Sequence, residues 1–344
     1  MATHPYPKVL HVDTTLAPES TFKTVLWDNK IDYRVYANVS PAWRRIEQKL
    51  RMDITLARSA IRMSKDYDVL FCGSEKVSIP LALLGPNKPI ATIVHNLVPK
   101  RKAQLVQLLG VTKRWAKVGV YAKADAEFMV SRFDYKLENT FNYASAPVDR
   151  FTPAAIVGDG MEGVIVSAGA ASRDYPTLVA ALKGLPDYHA ELYASSRYQD
   201  AYRGGDADEI PTWVKFMPDT PYSQLAKRIT ENARFVVVPM VNTTQYGAGC
   251  TAVLEASSAG KAVIATKTMG TVDYVQDGMT GFLVPPGDSE AMRAAIRKLW
   301  SDPQLAHRMG QAGRKFAEDN FDPRKVNEGI RQALTAAHTQ HSKH

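Results

Sequence analysis

VVVPMVNTTQYGAGCTAVLEASSAG, residues 236–260, runs from an apolar strand pattern through a glycine-bearing turn into a short helix carrying one carboxylate, Glu255. Strand, glycine turn and helix in this order is how α/β proteins present backbone N–H groups to a phosphate. Thr251 or Cys250 is placed to begin the helix and Gly260 to end it. The amides of Cys250, Thr251 and Ala252 would then lack partners inside the helix, and the helix dipole adds roughly 0.3–2 kcal/mol for an anion held there. Gly247 and Gly249 permit the close backbone approach that a pyrophosphate needs. Glu255 lies about one turn past the helix start, on the side of Thr251. There a carboxylate repels a phosphate but accepts hydrogen bonds from a ribose diol. A glycine turn followed by an ordinary surface glutamate is the other reading, and a bare G-x-G does not decide between them.

The same alternation fills the chain. KVLHV, YRVYANV, YDVLFCG, PIATIVH, WAKVGVYA and NTFNYA read as strands in the first half. GVIVSAG, HAELYA, TWVKFM, ARFVVVPM, GKAVIAT and TGFLVPP repeat the theme in the second. Helical patterns fall between them at Arg44–Ser64, Asp174–Gly184, Ser223–Asn232 and Ser289–Asp302. This predicts parallel sheets covered on both faces. APVDRFTPAAIVGDGMEG, Ala146–Gly163, breaks the pattern with prolines and glycines and marks a domain boundary. Two doubly wound domains are expected, 1–152 and 153–322, with a last helix at 323–338 and a tail at 339–344.

A length of 344 residues suits two such domains, and 45% apolar with 23% charged residues is ordinary for a globular chain. Two cysteines, Cys72 and Cys250, give no disulfide framework, and the N-terminus shows no basic-then-apolar signal, so the cytoplasm is the expected compartment. No apolar run approaches a membrane span. The net charge of +8 is concentrated: Lys76 to Lys123 holds nine Lys/Arg and no Asp/Glu. Within it, Lys100–Lys117 sets basic clusters around Leu105, Val106, Leu108, Leu109 and Val111. That pattern suits an anionic membrane surface or an acidic substrate, or simply a solvated helix face. Nucleic acid is not expected, because basic and aromatic residues do not interleave at a stacking spacing.

The segment GKAVIATKTMGTVDYVQDGMTGFLVPPGDSEAMRAAIRKLW resembles the C-terminal half of family-4 retaining glycosyltransferases. Gly260, Val263, Ala265–Thr266, Gly270, Val275, Asp277–Gly278, Gly281, Leu283–Val284, Pro286 and Asp288 match the family pattern in order and spacing. Asp273 stands for its glutamate and Ala262 for its proline. VDRFTPA and VSAGAASRDYPTLVAAL extend the likeness weakly backward. The resemblance implies two Rossmann-like domains facing across a cleft (GT-B type), with the C-terminal helix returning toward the first. It implies a hexosyl transfer from a nucleotide-diphosphate sugar to an acceptor hydroxyl, with retention, the leaving phosphate serving as base and no metal or other cofactor required. It gives Glu255 the ribose hydroxyls and the Gly247, Gly249, Cys250 and Thr251 backbone the pyrophosphate. It places Phe216 and Met217 near the base, and His95 over the donor sugar or reacting carbon. Strand-end packing for Phe216 and Met217, and a structural role for His95, remain the alternatives.

The chain also departs from the family. The first glutamate of its E-x7-E motif would fall at Gly247, and Gln245 is the nearest residue able to bind the donor sugar instead. The family's usual Arg and Lys are replaced by Ala170 and Tyr175, which leaves Arg173 as the expected catalytic cation on the leaving phosphate. Arg197 and Lys227 are weaker candidates. The glycine-rich loop after the first strand is absent, and Asp13, Thr14 and Thr15 stand in its place. G-x-S-x-G, G-x-G-x-x-G after the first strand, and metal-spaced histidines are also absent, which argues against a serine hydrolase, a dinucleotide dehydrogenase and a zinc enzyme. Two rivals keep the fold: a sugar-nucleotide epimerase, and a non-catalytic binding subunit.

Overall fold

The computed structural model describes residues 6–13, 27–31, 40–152, 163–186, 188–194 and 210–342. The chain divides into two compact units, Met1–Tyr143 with Arg324–His344, and Ala144–Pro323.

The first unit holds a six-stranded sheet of Val9–Val12 (β1), Trp27–Ile31 (β2), Val69–Cys72 (β3), Ile90–Ile93 (β4), Trp115–Val120 (β5) and Thr140–Asn142 (β6). All pairings are parallel and the order is β2-β1-β3-β4-β5-β6. Strands buried on both faces need uninterrupted apolar runs, and VLFC and IATI supply them. Side-chain alternation sorts the two faces. Leu10, Val12, Leu70, Ile90 and Val118 join Leu56 and Val77 in one core. Val9, Val69, Phe71, Ala91 and Ile93 meet Val326, Ile330 and Leu334 of the C-terminal helix Pro323–His341. That helix therefore serves the first unit, as expected, although it runs three residues past the predicted His338.

Two local expectations change. The single helix expected over Arg44–Ser64 is two, Pro41–Leu50 (α1) and Ile54–Met63 (α2). Arg51 turns left-handed at φ 52°, and the N–H groups of Arg51 and Met52 close back onto Gln48 O and Glu47 O. The buried Glu47 carboxylate then accepts the Thr55 N–H at 2.6 Å and starts the second helix. The strand expected in YRVYANV lies outside the described residues. The edge strand is WDNKI, whose mixed polar sequence has no apolar run to announce it.

The second unit carries Val164–Ala168 (β7), Ala190–Tyr193 (β8), Val214–Phe216 (β9), Ala233–Val238 (β10), Ala262–Thr266 (β11) and Gly281–Val284 (β12). Its parallel sheet is ordered β12-β11-β10-β7-β8-β9, which in chain order is the 3-2-1-4-5-6 arrangement of dinucleotide-binding folds. The chain leaves β7 in one direction and returns on its other side at β10. Ligands of open α/β sheets bind outside the carboxyl ends of strands at such a reversal.

The division falls at Tyr143/Ala144, ahead of the boundary expected at 152. Hydrogen bonds explain the difference. Ala146 N–H donates to Phe321 O, and Arg314 of Pro303–Phe321 donates to Val148 O and Phe151 O, each at 2.8 Å. Residues 146–151 are thereby sewn to the second unit.

Candidate functional site

The site is built where β7 and β10 end. Gly169, directly after β7, has φ 113°, and a Cβ there would sit 2.4 Å from an Arg173 nitrogen. The loops after the two strands are laced together: Asp174 N–H donates to Pro239 O and Val241 N–H to Ser172 O, both at 3.0 Å, with an Arg173–Met240 bridge between them. Asp174 then caps the helix Tyr175–Lys183 (α6) through the Thr177 N–H.

After β10 the chain turns at Gln245, whose carbonyl accepts the Ala248 N–H, and enters Cys250–Ser258 (α8). Gly249 is the helix cap at φ 90°, a conformation glycine adopts without a Cβ penalty. The Cys250 N–H, expected to be open, donates to Gly247 O at 3.3 Å within the turn. Among the described residues, the amides of Thr251 and Ala252 have no hydrogen-bond partner. These two, rather than the expected three, present donors at the helix start. Gly270, from the loop after β11, supports the turn from behind.

Glu255 stands one turn into α8. Its Oε1 accepts the Tyr222 hydroxyl at 2.8 Å, and Tyr222 is the first residue of Tyr222–Asn232 (α7). Burial pushes the Glu255 carboxyl above its ordinary range, against the Tyr222 hydrogen bond and the charges of Arg173 and Arg150. Neither Tyr222 nor Arg150 was foreseen. Tyr222 carries no pattern of its own, and Arg150 lies in a segment read as linker.

Arg173, the expected phosphate cation, is only 7% exposed. Its Nε donates to Ala168 O at 2.9 Å and its Nη1 to Ala171 O at 3.1 Å, so it braces the β7–α6 loop while its charge faces Glu255. Gln245 is half-buried at the head of the turn, with its N–H on Thr243 Oγ1 at 3.1 Å. Phe216 packs edge-on against buried Tyr175, with ring centroids 6.3 Å apart. Met217 donates its N–H to Leu192 O and receives the Thr220 hydroxyl on its carbonyl. Lys227 is exposed and pairs at 3.9 Å with Glu231. Arg197, Thr14 and Thr15 lie outside the described residues.

His95 belongs to the first unit, just beyond β4. Its N–H donates to Glu75 Oε2 at 3.0 Å, and its Nε2 lies 2.9 Å from Gly73 O, so Nε2 carries the proton and donates. Its ring lies 5.4 Å from that of Tyr121. Glu75 is 2% exposed and receives Lys102 Nζ at 2.6 Å. Burial pushes the Glu75 carboxyl up, but Lys102 and His95 together hold it below the usual carboxylate range. Asp13 comes off the end of β1 and meets Gly73, where a Cβ would sit 2.8 Å from Asp13 Oδ1. Asp13, Gly73 and His95 thus share the carboxyl edge of the first sheet, near its own reversal between β1 and β3. Glu75 was not foreseen, since a single acidic residue at a helix start carries no distinctive spacing.

The basic segment is not one amphipathic helix. It comprises Lys100–Leu108 (α4), a 3-10 turn at Val111–Arg114, and the start of β5. Lys117 is a buried strand residue donating to Asn139 Oδ1 at 2.7 Å, and the half-buried Lys102 is tied to Glu75, so both charges are committed to partners within the unit. Lys100, Arg101 and Lys113 remain exposed beside Leu105, Leu108 and Leu109, and Leu84 from Glu75–Leu84 is 62% exposed. No helix among the described residues is long and apolar enough to cross a membrane.

Residues 206–316, within the second unit, match the family model "Glycosyl transferases group 1". One curated relative is the GDP-mannose-dependent alpha-(1-6)-phosphatidylinositol monomannoside mannosyltransferase of Mycolicibacterium smegmatis. It is 42% identical over 82 residues, 24% of this chain and 22% of that protein. The capsular polysaccharide biosynthesis glycosyltransferase CapM of Staphylococcus aureus is 32% identical over 118 residues, 33% of this chain and 31% of that protein. The chain thus matches less than a third of either relative's length. Among solved structures, Anabaena HepE in complex with UDP and glucose superposes with TM-score 0.72 at 16% identity, covering 96% of this chain and 99% of that one. This likeness shows the fold, a pair of parallel-sheet α/β units of the GT-B type.

Proposed function

We propose that the protein transfers a hexosyl group from a nucleotide-diphosphate sugar to an acceptor hydroxyl, as a retaining glycosyltransferase of family 4. One observation carries the reading. Glu255 stands one turn behind the open Thr251 and Ala252 amides, at the strand reversal of a 3-2-1-4-5-6 sheet. The amides receive the pyrophosphate and Glu255 the ribose. Charge developing on the leaving diphosphate is met by the α8 dipole and by Arg173, so the reading requires no metal. The leaving phosphate accepts the proton of the incoming hydroxyl. The family likeness assigns to the donor sugar both His95, whose Nε2 is committed to Gly73 O, and Gln245, whose amide would read sugar hydroxyls in place of the missing glutamate. Met217 borders the base.

Titration with UDP, GDP and ADP tests the binding premise, and acceptor-free hydrolysis of the corresponding sugars tests turnover. Tight diphosphate binding with no hydrolysis of any sugar, and no transfer in an acceptor screen, would favour the non-catalytic subunit motivated by Gly247. The binding has a pH signature as well. Glu255 accepts hydroxyl protons only when ionised, and its carboxyl is raised. Affinity therefore falls as pH is lowered, beginning above the ordinary glutamate value of about 4.3. Calorimetry between pH 5 and pH 8 reads this directly, and a flat profile overturns it.

The acceptor is proposed to be lipid-linked, met at the membrane surface by Lys100, Arg101 and Lys113 with Leu84 and Leu108. A Leu84→Glu, Leu108→Glu double substitution is expected to lower binding to phosphatidylglycerol-containing vesicles about tenfold. Stability should move by no more than about 0.5 kcal/mol per site, since both side chains are exposed. Co-sedimentation that ignores salt, lipid charge and both substitutions removes this element of the proposal.

A further inference from the structure

A carboxylate free on both oxygens grasps a vicinal diol symmetrically, one hydroxyl to each oxygen. Glu255 is not placed that way. Its Oε1 holds the Tyr222 hydroxyl at 2.8 Å, and the phenol approaches from a different element. Tyr222 opens α7 behind Pro221, whose carbonyl accepts the N–H groups of Gln224 and Leu225. The loop before it is pinned by Met217 N–H on Leu192 O and Thr220 Oγ1 on Met217 O. Ile229 of the same helix is buried. The phenol is therefore held by a fixed helix start, although Tyr222 is 49% exposed.

From this contact we infer that Tyr222 is a specificity residue that makes ribose recognition one-sided. Glu255 Oε2 takes one hydroxyl of the diol, while Oε1 stays with the phenol and the second hydroxyl meets at most the neutral tyrosine oxygen. The inference rests on the nucleotide-binding reading and deepens it. A hydrogen bond to an ionised acceptor is about twice as strong as one between neutral groups, so the two hydroxyls are worth unequal amounts.

Calorimetry with UDP, GDP and ADP, and with the 2′-deoxy and 3′-deoxy analogues of whichever binds most tightly, tests this on wild-type protein and Tyr222→Phe. In wild type, one analogue should lose roughly tenfold in affinity and the other less than threefold. In Tyr222→Phe the two penalties should converge, because both carboxylate oxygens become open to the diol. The phenol donation, together with Arg173 and Arg150, favours the ionised carboxylate. Its removal should therefore shift the pH at which affinity falls upward, a change that a purely packing role for the ring would not produce. Equal penalties in wild type, or unequal penalties that persist in Tyr222→Phe, overturn the inference and leave the nucleotide site standing. Failure of all three diphosphates to bind overturns both.

Discussion

Glu255→Ala should weaken nucleoside-diphosphate binding about 10- to 100-fold while leaving the fold intact. The size follows from the chemistry of the contact: a hydrogen bond accepted by a charged group contributes about 1.5–3 kcal/mol. The stability side is small for a structural reason. Among the described residues, the Glu255 side chain bonds no backbone group, and its direct hydrogen-bond partner is the hydroxyl of half-exposed Tyr222, which water can serve once the carboxylate is gone. Removing it even relieves a partly desolvated charge, whose raised carboxyl shows that burial disfavours ionisation. Glu255→Gln should lie between, since an amide oxygen still accepts but without charge. Calorimetric titration with the preferred diphosphate gives the affinity, and a thermal melt gives the fold. An unchanged affinity in Glu255→Ala would remove the ribose assignment and, with it, the observation on which the proposed function rests.

That Glu255 was legible in the sequence, while its surroundings were not, has a physical basis. A strand, a glycine turn and a helix announce themselves locally, through apolar run length, capping and spacing along one segment. The parallel sheets and the existence of the last helix followed from the same periodicities, whereas its return to the first unit came from the family resemblance. Tyr222 and Arg150 reach Glu255 from elements 33 and 105 residues earlier, and no local pattern records a contact of that kind. Arg173 shows the converse. The sequence identified it as an available cation, but its burial and its hydrogen bonds to Ala168 O and Ala171 O emerged only from the fold. The basic segment was legible only in part for the same reason. Nine positive residues without a negative one read as a surface, yet Lys102 and Lys117 are turned to partners that lie far along the chain. The helix break at Arg51 was missed because it depends on Glu47 capping Thr55, a bond between two helices that share one continuous helical pattern.

Gly270→Ala should be the most damaging single methyl in the second unit, lowering stability by about 3 kcal/mol. Backbone freedom is not the reason, because Gly270 sits at φ −98° and ψ −46°, where alanine is comfortable. Space is the reason. A Cβ there would lie 1.7 Å from Tyr246 O and 2.7 Å from Tyr246 C, and a backbone carbonyl cannot swing aside as a side-chain end does. Thr271 fixes the other side: its hydroxyl donates to Thr266 O at 2.6 Å and accepts the Thr268 N–H at 2.9 Å. The strain must therefore go into Tyr246, directly ahead of the Gly247–Gly249 turn. The expected result is a fall of about 5–10 °C in the unfolding midpoint, together with weaker diphosphate binding in the protein that remains folded. Gly329→Ala is the matched control. It lies within the helix Pro323–His341 with nothing within 4 Å of its would-be Cβ, so the same methyl should stabilise by about 0.5–1 kcal/mol. If Gly270→Ala melts with the wild type and binds diphosphate as tightly, the loop after β11 does not support the turn, and the match of Gly270 to the family pattern needs another cause.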